Sequence, residues 1–516
     1  MSHLSRGFRC QRAQLTVLRD RRMNCITRGD GKANFGTGER RILTSDERKI
    51  CRLKTSRTRG EPSTSENLKE ALSEKIPLYH DLLRSFRRHH GPSIISHITV
   101  DDLYGGLSGV KTIVRETSEI DPKRGIVYRG LTIPEVIALL PRRGGSPSAE
   151  AVFWLLLTGD VPTQQQTASL IADWTSRREK YVEWWSGPRG ERVVSVLRSL
   201  PETITPLGRL SVALTILDVS KYAKEAKRHG AMPHTYWEYI YEDSMEFLAT
   251  LPAIIGLVAK GQITTNVSSD SDWVQFLLEC LTNVIENFDS RKSLIADFLR
   301  LYVTLNADDD GGAPAAHITQ ILGSTDLNIN EVLASSALAC AKEPASGTML
   351  EWEELQMKIR NALGQTWTEH SLIDRVLNLC DKDTLVGHRK AECCDPRYTA
   401  LLNYAKQYLP DNPEIKFSQD ITRILRSTTN RSNGKDICPE QSVIAAPIFQ
   451  SLGLKDMRLN QTILYMARTL GAIASIIWSK VVNAPAEHPV SKCTHGYIEK
   501  IHDRKRKRQH RTHLRK

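Results

Sequence analysis

The 516-residue chain has no Cys-x-x-Cys pair and no histidine at zinc spacing from a cysteine, although it holds 10 cysteines, at 10, 25, 51, 280, 340, 380, 393, 394, 438 and 493. That pattern argues against a cysteine-based zinc site and fits free thiols in a reducing compartment. No apolar run reaches the roughly 18 residues of a membrane span, so the sequence predicts a soluble chain with no membrane segment. A long apolar stretch of the secretory kind is missing from the N-terminus, and no internal repeat is visible. The basic run RKRKR at 504–508 stands in a C-terminal tail without aromatic residues, which removes the stacking partners of a single-strand nucleic-acid binder. It reads as a solvated tail.

What is present is a body large enough for two folded lobes, with 40% hydrophobic residues. The net charge of +12 is unevenly spread: residues 1–60 hold 16 Lys and Arg against 5 Asp and Glu, and 501–516 hold 8 against 1. The stretch between them is therefore mildly acidic, at −6, and nucleic acid is not an expected partner. The first 23 residues put Leu4, Phe8, Leu15 and Leu18 near one helical face, with arginines mostly elsewhere. An Arg-rich, acid-poor amphipathic start reads as a mitochondrial targeting segment, with a plain basic tail as the alternative.

From Leu68 the pattern is helical, with Leu72, Ile76, Tyr79, Leu83 and Phe86 at helical spacing and Pro77 predicted to kink or divide the helix. Residues 98–130 alternate β-branched residues with glycine turns and predict short strands, the one substantial β signal in the chain. Helices follow at 133–140, 149–157, from 164, at 206–224, 235–251 and beyond, 290–305, 313–323, 329–342, 351–364, 398–407 and 419–426. The last, 459–482, is apolar all round, as a core or subunit-interface helix would be.

The stretch 384–399, TLVGHRKAECCDPRYT, sets Gly387 and His388 ahead of Arg397 in an Asp-Pro-Arg-Tyr turn. A histidine and a fixed arginine suit a site that polarises a carbonyl and grips a carboxylate. Together with ITVDDLYGGLSGVK, EIDPKRGIVYRGLTIPE, AVFWLLLTGDVPT, YWEYIYEDSMEFLATLP and RTLGAIASIIWSK, this stretch resembles the citrate synthase family in its eukaryotic mitochondrial branch, over about 68–497.

The resemblance implies an all-α, two-domain fold with a short β segment near the N-terminus. Its large domain would span 66–348 and 451–500, its small domain 349–450, with 1–65 as targeting segment and linker and 501–516 as a basic tail. It implies a mitochondrial matrix protein and a homodimer, or a heterodimer with an active relative. The family joins acetyl-CoA to oxaloacetate and hydrolyses the citryl thioester with no cofactor, acetyl-CoA being a substrate. Such chemistry needs a carboxylate to take a proton from the thioester methyl, a donor to hold the enolate oxygen, a second donor on the ketone, and arginines for the two carboxylates.

By the resemblance, the ketone-polarising histidine is His388, and Arg397 and Arg468 are oxaloacetate arginines. For His388 and Arg397 a purely packing role stands beside this. The thioester-carbonyl donor falls on Glu343, or on Lys342 if anchored downstream. The base aspartate falls on Ser442, with Glu440 two residues away; an oxaloacetate histidine falls on Asp309 and a third arginine on His488. Lys435 lies near the family's CoA phosphate grip. Two readings follow: a citrate synthase with impaired or rerouted chemistry, and an inactive pseudoenzyme acting as a structural or regulatory partner.

Overall fold

The computed structural model describes residues 61–513 except 218–220, 265–267, 269, 341–343, 365–366, 380–385 and 429–435. The N-terminal segment, Lys342, Glu343 and Lys435 thus lie outside the described residues. Helices dominate. They run from Leu68–His90 through Ala149–Thr158, Gln164–Ser186, Pro188–Ser199, Pro206–Ile216, Tyr236–Lys260 and Phe288–Leu305 to Pro314–Gly323, Ile329–Cys340 and Pro344–Leu363. Pro396–Tyr408, Pro413–Thr428, Ser442–Ser451 and Met457–Val481 follow. Strands are few: an antiparallel sheet of Ser118–Asp121, Gly125–Tyr128 and Leu131–Thr132, a two-residue ribbon at 142–147, and a ribbon pairing His388–Ala391 with Asp436–Pro439.

The core is built on Met457–Val481, which is long and apolar enough to cross a membrane by composition but is 89% buried inside the protein. Tyr236–Lys260 and Ala149–Thr158 pack on it. Its apolar residues at every helical angle have protein on every side, which is what an all-round apolar pattern requires. Arg468 sits in the middle of this helix, not in a turn at its start.

Three helices carry an internal proline, Pro77, Pro252 and Pro447, yet each is continuous. The expected division at Pro77 does not occur. Proline lacks the N–H that would bond the carbonyl four residues back, and a buried orphan carbonyl costs about 1–3 kcal/mol. Neighbouring side chains supply the missing donors at the two buried prolines. The Trp273 indole donates to the Leu248 carbonyl (2.7 Å), four residues before Pro252. The Ser418 hydroxyl donates to the Val443 carbonyl (2.7 Å), four residues before Pro447. Ser418 also accepts from the Trp352 indole (3.1 Å), so the helices around His388 are tied by polar contacts as well as packing.

Candidate active site

The ribbon formed by His388–Ala391 and Asp436–Pro439 places His388 opposite Pro439. Gly387 has φ +67, in the left-handed region that glycine reaches without strain, and the Glu440 amide closes the ribbon by donating to the Gly387 carbonyl (2.8 Å). The imidazole of His388 is buried and turned onto Trp352, with ring centroids 5.3 Å apart. Its Nδ1 lies 3.0 Å from the Val386 carbonyl and its Nε2 3.3 Å from the Thr422 hydroxyl. A carbonyl only accepts, so the neutral ring carries its proton on Nδ1, and its Nε2 lies against the Thr422 hydroxyl, which donates its own proton to the Ser418 carbonyl (2.9 Å). Burial pushes the pKa down to about 4, so the ring is neutral at pH 7. In this arrangement both nitrogens serve the scaffold, and no ring proton is left to polarise a ketone.

Arg397 opens the helix Pro396–Tyr408, whose N-cap is Asp395. The Asp395 carboxylate accepts from the Arg397 amide (2.9 Å) and clamps its guanidinium, from Nε at 3.1 Å and Nη2 at 2.9 Å. The expected turn is therefore a capped helix start. Gly125, at φ +72, lets the β hairpin meet this cap, since a Cβ there would stand 2.4 Å from Pro396 Cδ.

Arg468 is held by the carboxylate of Asp309, through Nη1. The neighbouring Asp308 lies against the same helix at Gly471, where a Cβ would fall 2.2 Å from the Asp308 side chain. Asp308 is anchored by Arg115 (2.5 Å) in a pair 2–3% exposed. Burial pushes the Asp309 carboxyl up, but Arg468 and Arg397 outweigh it and hold it below the ordinary carboxylate range. Two arginines thus face two ionised carboxylates supplied by the chain itself. Tyr128, whose hydroxyl donates to the Leu305 carbonyl (2.8 Å), lies within the field of both arginines.

Ser442 begins the helix Ser442–Ser451; its hydroxyl is buried and has no partner among the described residues. The preceding Gln441 exchanges amide hydrogen bonds with Asn306 (2.5 and 3.1 Å). Glu440 stands among Arg389, Arg397, Asp395 and Asp309, and burial, with the two aspartates, raises its pKa despite the arginines. His488 is exposed in the segment after the core helix, and no described contact brings it to these groups. The structure gathers Arg397, Arg468, Asp309 and Glu440, and turns His388 into the packing beside them.

Sequence reasoning passed over Asp395 and Arg115 as site residues. Asp395 was legible, because Asp directly before Pro is a helix N-cap signal. Arg115 gave no signal, since its partner lies 193 residues away.

Fold and site together define a mostly helical protein that collects arginines and carboxylates from distant segments into one polar cluster. The model of the family described as "Citrate synthase, C-terminal domain" matches residues 106–489. A Caenorhabditis elegans protein named "Probable citrate synthase, mitochondrial" is 30% identical over 477 residues, covering 90% of this chain and 98% of its own length. The Caenorhabditis briggsae protein of the same name is 31% identical at the same coverage. The chain belongs to the citrate synthase family. Among solved structures, citrate synthase from Pyrobaculum aerophilum gives a TM-score of 0.59 at 17% identity, covering 76% of this chain and 92% of that one. The Thermoplasma acidophilum enzyme, solved with carboxymethyl coenzyme A and oxaloacetate, gives 0.57 at 16% identity, covering 77% and 96%. At such identity the likeness is one of fold. Citrate synthases need no cofactor, and acetyl-CoA is a substrate of the family.

Proposed function

We propose that this chain keeps the citrate synthase fold while its condensation of acetyl-CoA with oxaloacetate is severely impaired, and that it acts as a structural or regulatory dimer partner. The observation that carries the reading is Asp309, whose carboxylate occupies Arg468. The family's oxaloacetate site uses that arginine for a substrate carboxylate. At an effective dielectric of ~20, two carboxylates ~4 Å apart repel by ~4 kcal/mol before screening. Arg397 is likewise taken by Asp395. Ser442, at the base position, has a hydroxyl too weak to deprotonate a thioester methyl without a partner, and the position read as the enolate donor is Glu343 or Lys342. In this reading the domains divide as 66–348 with 451–500, and 349–450. The chain works in the mitochondrial matrix, as a homodimer or beside an active relative.

Purified protein given acetyl-CoA and oxaloacetate, with release of CoA thiol followed, tests it. Losing one general acid or base costs ~10²- to 10⁴-fold, so turnover at least a hundredfold below an authentic citrate synthase is expected. Turnover within about tenfold of one would sink the proposal. Titration calorimetry with oxaloacetate adds a direct readout: weak or no binding to the native chain, and a gain in affinity for Asp309→His.

One observation favours rerouted chemistry as a second reading. Glu440 has a carboxyl of raised pKa beside Arg397, the type of group a general base requires. Residual turnover abolished by Glu440→Gln would select this reading over a pseudoenzyme.

A further inference from the structure

A cavity of about 510 Å3 lies among residues that take no part in the site above. Five cations line it: Lys180, Arg189, Lys221, Lys224 and Arg228. Among the described residues two carboxylates do, Glu225 and Glu246, and Glu246 is already bonded to Arg177 (3.2 Å). Lys180, Arg189 and Arg228 form no ion pair among the described residues. The concentration of charge is unusual for this chain, whose stretch between the basic termini is net negative.

The walls are chemically distinct from the rim. Tyr181, Trp184 and Tyr222 line the cavity, with Tyr181 buried and the other two half-buried. Tyr181 and Trp184 lie three residues apart on one face of Gln164–Ser186, with ring centroids 6.1 Å apart. Tyr181 lies beside the Glu246 carboxylate, whose charge acts with burial to push the phenol pKa up. Lys221 lies over the Tyr222 ring at 4.9 Å, which shows that a ring face here is accessible to a charged group. Exposed lysines alone make a solvated surface; a half-open volume with aromatic walls and exposed cations around them makes a site with two complementary halves.

We propose that this cavity binds an aromatic phosphate ester, its ring against Trp184 and Tyr222 and its phosphate groups among Arg189, Lys221 and Arg228. Guanidinium groups match phosphate oxygens in a bidentate manner, and a flat ring stacks on aromatic side chains whatever its edge chemistry. A cavity of this size lies in the range of small-ligand sites. Nucleotides and flavin-type phosphates share this chemistry, and the proposal is independent of whether the arginine cluster turns over substrate.

Titration calorimetry on the full chain tests it, with ADP, flavin mononucleotide, inorganic tripolyphosphate and adenosine as probes. ADP or flavin mononucleotide should bind saturably, at least about tenfold tighter than tripolyphosphate or adenosine, and binding should weaken as salt rises. The stronger of the two identifies the ring preferred. Arg189→Ala/Arg228→Ala should weaken it about tenfold or more, and Trp184→Leu should weaken it while sparing tripolyphosphate. Arg397→Ala should leave it unchanged, which separates this cavity from the arginine cluster of the family site. No saturable binding of either phosphate ester, or binding that survives Arg189→Ala/Arg228→Ala, overturns the proposal.

Discussion

Two clusters of cations in this molecule have opposite fates. At the family site, Arg397 and Arg468 are each met by a carboxylate from the chain, Asp395 and Asp309, in pairs whose side chains are 4–15% exposed. In the surface cavity, Lys180, Arg189 and Arg228 have no such partner among the described residues. A charge withdrawn from water must be paired, whereas a charge at the surface can await a ligand. The difference teaches where binding is open: the arginines inherited for substrate carboxylates are each charge-paired within the chain, although the buried Nη1 of Arg397 has no hydrogen-bond partner among the described residues, and the accessible anion-attracting groups are elsewhere.

The largest effect should come from breaking the charge-paired cluster. Arg468→Ala leaves Asp309 partly buried and stripped of its partner, and removing one member of a buried pair typically costs about 3–5 kcal/mol. Chemical denaturation should report a loss of that order. Asp309→Leu/Arg468→Met, which removes both charges and keeps volume, should recover most of it. If Arg468→Ala costs less than about 1 kcal/mol, Asp309 is not dependent on that arginine and the contrast between the clusters fails.

A second test uses acid. The ordinary histidine pKa of about 6.5 is lowered to about 4 at His388 by burial. The unfolded chain therefore binds a proton that the folded chain refuses, and stability is lost as pH falls from 6.5 toward 4, by up to about 3 kcal/mol from this group. Glu150, raised to about 7 chiefly by burial and then by Asp272, works in the opposite sense over the same window. The wild-type slope is thus a mixture, and the informative quantity is a difference. His388→Asn keeps a donor for the Val386 carbonyl but cannot titrate, so its stability should fall by about one proton's slope less than that of wild type. Equal slopes would mean that His388 meets solvent, and would return it to the list of groups able to reach a substrate.

Much of the fold was legible in the chain because it rests on periodicity. The all-round apolar pattern of 459–482 marked the core helix, and Thr158-Gly159 marked a helix end that Gly159 caps at φ +80. Pro77 misled, since its helix runs on through it; at Pro252 and Pro447 the groups that replace the missing donors, Trp273 and Ser418, sit in other elements and leave no local signal. The ribbon at His388 escaped notice for a related reason: its partner strand begins 45 residues after it ends. At the site, residue identities pointed to lost chemistry, since Asp309 and Ser442 stood where a histidine and an aspartate were expected. That Asp308 lies against the helix of Arg468 depends on Gly471, and that His388 faces Trp352 and Thr422 depends on packing. Neither follows from one-dimensional spacing. Side-chain direction is a tertiary property, and here it decides what each retained residue is free to do.

The smallest effect should come from the open cluster, and its smallness is the point. Arg189 and Arg228 are exposed cations sharing one cavity with Lys180, Lys221 and Lys224, so each loses little when its neighbour goes. Surface substitutions away from packed features usually stay within about 0.5 kcal/mol. Like charges repel, with a Debye length of about 30 Å at 0.01 M salt and about 3 Å at 1 M. Arg189→Ala/Arg228→Ala should therefore match or slightly exceed wild-type stability at low salt, and the difference should vanish at 1 M. Denaturation curves at the two salt concentrations measure this directly. A loss above about 1 kcal/mol at low salt would show that these arginines hold the fold together. They would then belong with Arg397 and Arg468 as paired structural cations, and the distinction between a closed site and an open one would dissolve.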